Sequence, residues 1–423
     1  MPAKRNAMKS TPQHANIANV PLARIVQLVQ RNEANNRPAL EQATGLGRTA
    51  ARQRIDTALR LGLIEESGSG KSTGGRTPRL LRFRSGAALL ALCAISQTYA
   101  VVGISDLDGT IIDRRRLDNS IFTDPDIALN RMVDAISDMT HDRDLPLWAV
   151  GVGVTGIIDF ATGTVISPPV MPEWHDVNVR SPLESRLHAP VWVDNDVNLL
   201  AVEAQRTLTN ENTDNLVYLK IGQGIGAGLI VNGAIHRGAD GAAGDIGHVA
   251  VPGSNVPCRC GKTGCLEAVA AGWGMTAQAV ESSDDSPYLQ QCIADHGEPT
   301  LADLFSPAGA ADHVVGRILR TSADAIGETL SSIINLLNPS LVVIGGEGIT
   351  IGEAYLARLR ECVYRRSLPP TTRNLRIVAT TETVTDNLEG AANLIRRQLF
   401  GDELPNWIDD GTPVDYMLAS HAR

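Results

Sequence analysis

The sequence predicts an α/β protein that carries a winged helix-turn-helix domain at its N-terminus. Residues 1–85 hold 15 Lys and Arg against 5 Asp and Glu, whereas the rest of the chain holds 23 against 42. This division is typical of a basic nucleic-acid-binding module on an acidic body, and a solvated basic tail is the alternative. Residues 88–400 alternate apolar strand-like runs with helical stretches, which is the α/β pattern. We divide the 423 residues into a flexible arm at 1–20, a DNA-binding domain at 21–85, a body at 88–400 and a tail at 401–423.

The predicted DNA-binding domain begins with a helix whose apolar residues recur at helical spacing. They are Leu22, Ile25, Val26, Leu28 and Val29, in NVPLARIVQLVQRN. Two more helices flank TGLG, where Gly45 permits the tight turn of a helix-turn-helix and Leu46 packs beneath it. The N-terminal end of the third helix is where such domains meet base edges. The candidate DNA-contacting residues there are Arg48, Thr49, Ala50, Arg52 and Gln53.

The stretch after the third helix, EESGSGKSTGGRTPRLLRF, predicts a β-wing. Its Gly and Ser residues make the tip flexible, and Lys71, Arg76 and Arg79 suit contacts with DNA phosphates. A three-helix protein-interaction module is the alternative interpretation of this domain. Because pattern, charge and wing agree, we expect double-stranded operator DNA as a partner.

Six apolar runs of the body predict strands: ALLALCAI, TYAVVGISD, LPLWAVGVGV, PVWVDND, NLVYLKIG and LVVIGG. Helices such as DPDIALNRMVDAISDMT and VVGRILRTSADAIGETLSSIINLL separate or follow them. A body of this length is expected to divide into two lobes with a ligand cleft between them.

The sequence also indicates where the protein resides. No apolar run approaches the roughly 20 residues of a membrane span, and the first 20 residues lack the apolar centre of a secretory signal. We therefore expect a cytoplasmic protein without a membrane partner. Disulfides are rare in that compartment, and clustered cysteines more often bind metal.

Three of the six cysteines fall within eight residues, one loop after a histidine. The spacing H-x9-C-x-C-x4-C offers one imidazole and three thiolates, which is the donor set of a closed, structural zinc site. A redox-sensing cysteine trio is the alternative. Gly261 and Gly264 ease the tight loop that such a site needs. The predicted zinc ligands are His248, Cys258, Cys260 and Cys265.

Two further stretches are candidates for chemistry. In VDNDVN, residues 193–198, Asp196 is a candidate general base with Asn195 as a hydrogen-bonding neighbour; a turn with helix-capping carboxylates is the alternative. In KIGQGIGAGLIVNG, residues 220–233, alternate glycines permit a ligand close to the backbone of a hairpin. This second stretch is neither a P-loop nor a dinucleotide-binding fingerprint.

The stretch GDIGHVAVPGSNVPCRCGKTGCLE resembles the signature of the ROK family, which groups sugar-responsive repressors and sugar kinases. The resemblance extends over nearly the whole chain, from the winged helix through GGRTP to IGGEGI near residue 345. It implies a two-lobed, actin-like fold of the ribonuclease H-like, hexokinase and Hsp70 type, with a sugar pocket in the cleft.

The same resemblance implies the residues of that pocket. Asp196 matches the catalytic base of the family's kinases, and one ring nitrogen of His248 is expected to bind zinc while the other faces the sugar. The implied sugar-binding residues are Gly156, Asn195, Asp196, Asp245, His248 and Glu267.

The chain departs from the family pattern in two places. Asp245 stands where the family's ExGH motif has a glutamate. The kinases' phosphate-binding DxGGTK reads AISQTY here, so that Ala94, Ser96, Gln97 and Tyr99 replace the acidic residue, both glycines and the lysine. Phosphoryl transfer depends on positioning and electrostatics, and these replacements predict the loss of efficient ATP use.

These observations predict a sugar-responsive transcriptional regulator, in the first place a repressor of carbohydrate genes, and no enzyme activity. The effector is a sugar or a sugar phosphate, and a homodimer or homotetramer binds a two-fold operator. The alternative is an ATP-dependent sugar kinase with an N-terminal DNA-binding appendage.

Overall fold

The N-terminal domain has three helices and a two-stranded antiparallel hairpin in the arrangement of a winged helix. The computed structural model describes residues 16–69, 79–96, 99–117, 124–166, 168, 171–208, 213–346, 351–380 and 387–422. The predicted wing residues Lys71 and Arg76 lie outside this part of the chain. The elements of the domain are α1 (Val20–Gln30), α2 (Arg37–Thr44), α3 (Arg48–Arg60), β1 (Ile64–Ser69) and β2 (Arg79–Phe83).

The turn between α2 and α3 follows from two local signals. The Asn36 side chain accepts a hydrogen bond from the backbone N–H of Ala39 at 3.0 Å and caps the start of α2. Gly45 ends the same helix at φ +68°, a conformation that favours glycine. All five predicted apolar residues of α1 are buried, which confirms the predicted helix and its inward face.

The body contains two five-stranded sheets with the same strand order. In each sheet the first three strands in the chain form an antiparallel meander, and two later strands add in parallel beside the first. The first sheet has the order β5-β4-β3-β6-β9 and the second β12-β11-β10-β13-β14. This duplicated order is that of a two-lobed, actin-like fold.

The strands of the first lobe are β3 (Leu89–Ile95), β4 (Ala100–Ser105), β5 (Ile111–Leu117), β6 (Leu147–Val154) and β9 (Val191–Asn195), with a small hairpin of β7 (Ile157–Asp159) and β8 (Thr164–Ile166). Those of the second lobe are β10 (Leu216–Ile221), β11 (Ile225–Val231), β12 (Ala234–Ile235), β13 (Leu341–Gly346) and β14 (Arg376–Ala379). Central strands such as β3 are buried along their length because helices cover both faces of each sheet.

The helices of the body lie between and after these strands, and six of them, α7 to α12, follow one another between β12 and β13. They are α4 (Pro125–His141), α5 (Arg180–Leu187), α6 (Asp196–Thr207), α7 (Leu266–Ala270), α8 (Gly272–Glu281), α9 (Pro287–His296), α10 (Leu301–Phe305), α11 (Pro307–Ala311), α12 (His313–Leu337), α13 (Glu353–Arg366), α14 (Pro369–Thr372) and α15 (Leu388–Phe400). Helix α15 packs on the first sheet, α6 packs on the second sheet, and the two helices pack on each other between the lobes.

The C-terminal segment, for which the sequence suggested no role, packs against both the N-terminal domain and the first lobe. It contains α16 (Leu404–Trp407) and α17 (Val414–His421). Trp407 is fully buried and lies edge-on to Trp148 of the first lobe at 5.9 Å between ring centroids. Asn19 of the N-terminal domain donates to Pro405 O at 3.1 Å. The segment is therefore part of the core that joins the two domains.

Of the helices that the structure describes, none combines the length and the apolar character that a bilayer crossing requires.

Candidate metal centre and ligand cleft

A cleft of about 660 Å³ opens between the two lobes. The floor comes from the end of β9, the start of α6 and the β10–β11 hairpin, and one wall comes from the loop before α7. All six residues that the sequence predicted for a pocket line this cleft: Gly156, Asn195, Asp196, Asp245, His248 and Glu267.

Asp196 is the first residue of α6, and its side chain is largely buried, with 16% exposed. The Oδ2 atom accepts hydrogen bonds from Lys220 Nζ at 2.8 Å and from Thr155 Oγ1 at 3.2 Å. Oδ1 accepts no hydrogen bond from the residues that the structure describes, and a ligand in the cleft can donate to it.

Asn195 caps a helix, as the sequence raised for the carboxylates of this stretch, although here the cap is an amide side chain. Its Oδ1 accepts the backbone N–H of Val197 at 2.8 Å, and this bond caps α6. Its Nδ2 donates to Gly156 O at 2.5 Å. Asn195 thus holds the Gly156 backbone, at φ +126°, against the edge of the cleft.

Glu267 is buried beneath the cleft, with 6% exposed. Its two oxygens accept hydrogen bonds from the Ile225 backbone N–H at 3.2 Å and from Trp273 Nε1 at 3.3 Å. The Oε2 atom would lie 2.8 Å from a Cβ at Gly224. The carboxylate therefore ties the β10–β11 hairpin to α7 and α8.

The alternate glycines of that hairpin have a reason that the sequence did not predict. A Cβ at Gly228 would lie 2.4 Å from Val197 O, and one at Gly226 would lie 3.1 Å from Val197 Cγ2. These two glycines permit the close approach of α6 to the second sheet, and Gly226 also lines the cleft.

The candidate metal ligands His248, Cys258, Cys260 and Cys265 converge on one point. Their donor atoms all lie within 4.8 Å of one another. Cys258 Sγ lies 3.7 Å from His248 Nδ1, and Cys260 Sγ lies 3.7 Å from Cys265 Sγ. One nitrogen and three sulfurs at these distances can hold a metal ion.

The loop that carries the cysteines is shaped by its glycines. Gly261 and Gly264 have φ +86° and +74°, as the sequence predicted for a tight loop. A Cβ at Gly264 would lie 2.4 Å from Ser254 O, so a larger residue does not fit. Burial raises the pKa of the Cys265 thiol to about 12, and a bound metal ion would have to displace that proton.

His248 joins the metal cluster to the cleft. While Nδ1 faces Cys258, Nε2 lies 4.0 Å from Asp245 Oδ1. Burial raises the pKa of the Asp245 carboxyl, and the neighbouring His248 and Lys262 act against that rise.

A second ion pair crosses from the second lobe to the first. Arg237 donates to Asp194 Oδ2 through Nε at 3.0 Å and Nη2 at 2.6 Å, and its guanidinium lies 3.7 Å from the centroid of the Phe160 ring. Asp194 is 2% exposed. Asp196 binds Lys220 and Asp194 binds Arg237, and both cations belong to the second lobe. The VDND stretch therefore connects the two lobes through two ion pairs.

Sequence reasoning missed several residues of the cleft, among them Thr155, His175, Lys220, Arg259 and Lys262. One signal for Lys220 was present, because it is the only charge in the apolar strand LVYLKI. No sequence pattern around Thr155 or His175 distinguishes these residues from ordinary surface residues.

The β3–β4 hairpin carries the residues that replace DxGGTK. Ala94 is in β3, and Ser96, which lines the cleft, donates its backbone N–H to Tyr99 O at 2.9 Å. The Arg116 guanidinium lies 3.8 Å from the centroid of the Tyr99 ring. Gln97 lies outside the described residues.

The predicted DNA-contacting residues lie in the first turns of α3. Arg48, Thr49, Arg52 and Gln53 are exposed and Ala50 is half-buried. Arg52 Nε lies 3.7 Å from Asp56 Oδ2, and Arg37 also binds Asp56, at 2.7 Å. The hydrogen bond from Arg37 holds the pKa of the Asp56 carboxyl below its ordinary value.

Fold and cleft together define the class: a two-lobed, actin-like protein with a Cys₃His cluster beside its cleft and a winged helix-turn-helix at its N-terminus. The sequence model of the ROK family matches residues 93–398. The chain belongs to the ROK family, as its signature predicted.

The proteins that are similar to this chain include some named as repressors and some named as sugar kinases. A protein of Caldicellulosiruptor bescii named xylose repressor is 27% identical over 84% of this chain and 89% of its own length. A protein of Halalkalibacterium halodurans named glucokinase is 31% identical over 62% of this chain and 81% of its own length. A crystal structure described as a ROK family transcriptional regulator, a homologue of the E. coli MLC protein, has a TM-score of 0.78 and 21% identity, and the match covers 92% of this chain and 98% of that one. This last likeness shows that the fold extends over the N-terminal domain.

Proposed function

We propose that the protein is a DNA-binding transcriptional regulator, in the first place a repressor, whose cleft binds a sugar or sugar phosphate as effector. The single observation that carries the proposal is that the winged helix packs against the lobes that form the cleft. An exposed α3 in a winged helix is packed, through α15 and the C-terminal segment, against the lobes that form the cleft.

The surface of α3 supports the DNA-binding half of the proposal. Its first turns expose Arg48, Thr49, Arg52 and Gln53, while Ala51, Ile55 and Ala58 on its other face are buried. This is the face distribution of a helix that enters a major groove. The repressor name of a relative that matches 84% of this chain agrees with it.

Helix α15 supplies a path from the cleft to the DNA-binding domain. At its start, Asn387 Nδ2 donates to Asp196 O at 2.6 Å. At its end, Gln27 of α1 donates to Phe400 O at 2.9 Å, and the Phe400 ring lies 5.1 Å from that of Phe83. Thirteen residues of helix span about 20 Å. A movement of the cleft floor on binding would therefore tilt the element on which the winged helix rests.

The β3–β4 hairpin supports the loss of efficient ATP use. Ala94 has no carboxylate to organise a metal ion and phosphate, and the Tyr99 ring, stacked with Arg116, supplies no ammonium. Since positioned charges dominate phosphoryl transfer, we infer a binding role for Asp196 in place of catalysis.

The donor set and distances of the Cys₃His cluster fit structural zinc. With Zn–S bonds of about 2.3 Å, neighbouring sulfurs of a tetrahedral site lie about 3.8 Å apart, close to the 3.7 Å between Cys260 and Cys265. His248, Cys258, Cys260 and Cys265 would hold the ion with no open position. Zinc would fix the loop and the orientation of His248 at the cleft.

A sugar kinase with a DNA-binding appendage is the second candidate. It is favoured by Asp196 in the cleft and by the relative named glucokinase. Steady ATP-dependent phosphorylation of any sugar in a hexose and pentose panel would establish it. We expect none.

Fluorescence anisotropy of the full chain on DNA that flanks its own gene, at fixed salt, tests the regulator. Tight binding that one sugar or sugar phosphate releases is the expected result. Binding that no compound alters would remove the effector from the proposal, and the absence of sequence-specific binding on DNA that carries a selected site would overturn the regulator altogether. Sedimentation of the complex would distinguish a dimer from a tetramer.

A further inference from the structure

The ion pair between Lys220 and Asp196 is an unusual feature of the cleft. Lys220 lies in β10, among buried apolar neighbours, and its side chain is only 11% exposed. Removing an ammonium and a carboxylate from water is costly unless they neutralise each other. At 2.8 Å from Nζ to Oδ2 they do so, and the pair as a whole carries no net charge.

This pair offers a ligand both a donor and an acceptor. Asp196 Oδ1 accepts no hydrogen bond from the described residues, and Lys220 is an ammonium donor beside it. A hydroxyl both donates and accepts, so it matches the pair. A phosphate only accepts at neutral pH, and its charge would lie against the Asp196 carboxylate.

The other charges of the cleft do not supply an excess of cations. Glu267 is already satisfied by the Ile225 and Trp273 N–H groups. Among the described lining residues, Lys and Arg side chains are equal in number to carboxylates: Lys220, Arg259 and Lys262 against Asp196, Asp245 and Glu267. A site built for a phosphate would instead concentrate unpaired cations around it.

We propose that Lys220 is a specificity-determining residue of the cleft. Paired with Asp196, it binds one hydroxyl of an uncharged sugar and disfavours the same sugar when a phosphate occupies that place. The inference rests on the proposed function and deepens it, because it selects between the two effector classes, sugar and sugar phosphate.

Isothermal titration calorimetry of the full chain tests this specificity with matched ligands: glucose, mannose and N-acetylglucosamine, each beside its 6-phosphate. We expect the neutral member of at least one pair to bind tenfold or more tightly than its phosphate. A difference of about this size is the electrostatic cost of placing one poorly compensated charge beside the Asp196 carboxylate. The proposal would be overturned if in every pair that binds the phosphate bound as tightly as the neutral sugar, or more tightly.

Two variants locate the cause. Asp196→Asn leaves Lys220 without its counter-ion, and the preference for the neutral member should fall about tenfold or invert. Lys220→Met leaves the carboxylate without its cation, and affinity for the neutral member should fall about tenfold. Arg365→Met, which removes an exposed cation of α13 paired with Glu361, is the matched control and should leave the ratio unchanged. An unchanged preference in Asp196→Asn, or an unchanged affinity for the neutral member in Lys220→Met, would contradict the role of Lys220.

The outcomes separate this inference from the regulator itself. If a sugar phosphate releases the DNA in the anisotropy assay, the regulator stands and the specificity is wrong. If none of the six compounds binds, the specificity is overturned together with the effector half of the proposed function, while DNA binding is measured independently.

Discussion

His248 is the residue at which the metal cluster and the cleft meet. Its Nδ1 lies 3.7 Å from Cys258 Sγ, whereas Nε2 lies 4.0 Å from the carboxylate of Asp245. The local spacing of the Cys and His residues predicted the candidate ligand set, whereas separate roles for the two ring nitrogens were implied only by the family resemblance. The sequence did not predict Lys220 beside Asp196, since that contact joins different parts of the chain.

The first prediction concerns the cluster. Cys265→Ser should lose the bound zinc and lower the free energy of unfolding by several kcal/mol, because the binding energy of structural zinc contributes directly to folding. Elemental analysis and thermal unfolding measure the two effects. Cys292→Ser, at a buried thiol outside the cluster, is the control and should keep its zinc. Wild-type protein purified without chelators and found free of zinc would rule out the metal assignment.

The second prediction concerns α3. Arg52→Ala should weaken operator binding by about 1–3 kcal/mol if the guanidinium leaves Asp56 to reach a base edge. Anisotropy at fixed salt measures the change. Arg60→Ala, at the other end of the same helix, removes the same charge and should have a smaller effect. Equal dissociation constants for wild type and Arg52→Ala would place Arg52 outside the interface.

At the scale of the element, close packing of α6 explains the glycine-rich hairpin. The sequence indicated a hairpin with alternate glycines but associated them with a ligand. Gly228 is instead required by the carbonyl of Val197, 2.4 Å from where its Cβ would stand. Periodicity identifies such a strand, but it contains no information about which helix crosses it.

Gly228→Ala is the third prediction. The added methyl group has to displace the backbone of α6, so the free energy of unfolding should fall by about 1–3 kcal/mol or more. Denaturant unfolding measures it. Gly352→Ala, where no atom of the described residues lies within 4 Å of the added Cβ and φ is −70°, should change stability far less. Equal effects of the two substitutions would contradict the packing.

At the scale of the whole molecule, the winged helix and the lobes share one core. Trp407, Phe400 and Phe83 bring the C-terminal segment, α15 and the wing strand together. The two domains are therefore packed directly against each other and are not joined only by a flexible linker. Such a core can transmit a change in the cleft to α3.

The fourth prediction tests this path. Gln27→Leu removes the hydrogen bonds to Phe400 O and Gly401 O while it keeps the volume of the side chain. Affinities for operator and sugar measured separately should change little, but the release of DNA by sugar should weaken several-fold, since a coupling free energy is typically 1–3 kcal/mol. Anisotropy titrations with and without sugar give the coupling. Gln30→Leu, one turn further along α1, is the control. Full coupling in Gln27→Leu would exclude this hydrogen bond from the path.

The sequence by itself determined what depends on neighbours along the chain. The apolar spacing of α1, the Gly45 turn, the strand runs and the Cys₃His loop were all visible there, because each is set by residues a few positions apart. Tertiary structure alone decided the pairs Lys220–Asp196 and Arg237–Asp194, and the packing of residues 401–422 at the joint between the domains. These contacts connect residues 24 to nearly 400 positions apart. Their partners are chosen by how the two sheets and their helices pack, and no local pattern records that choice.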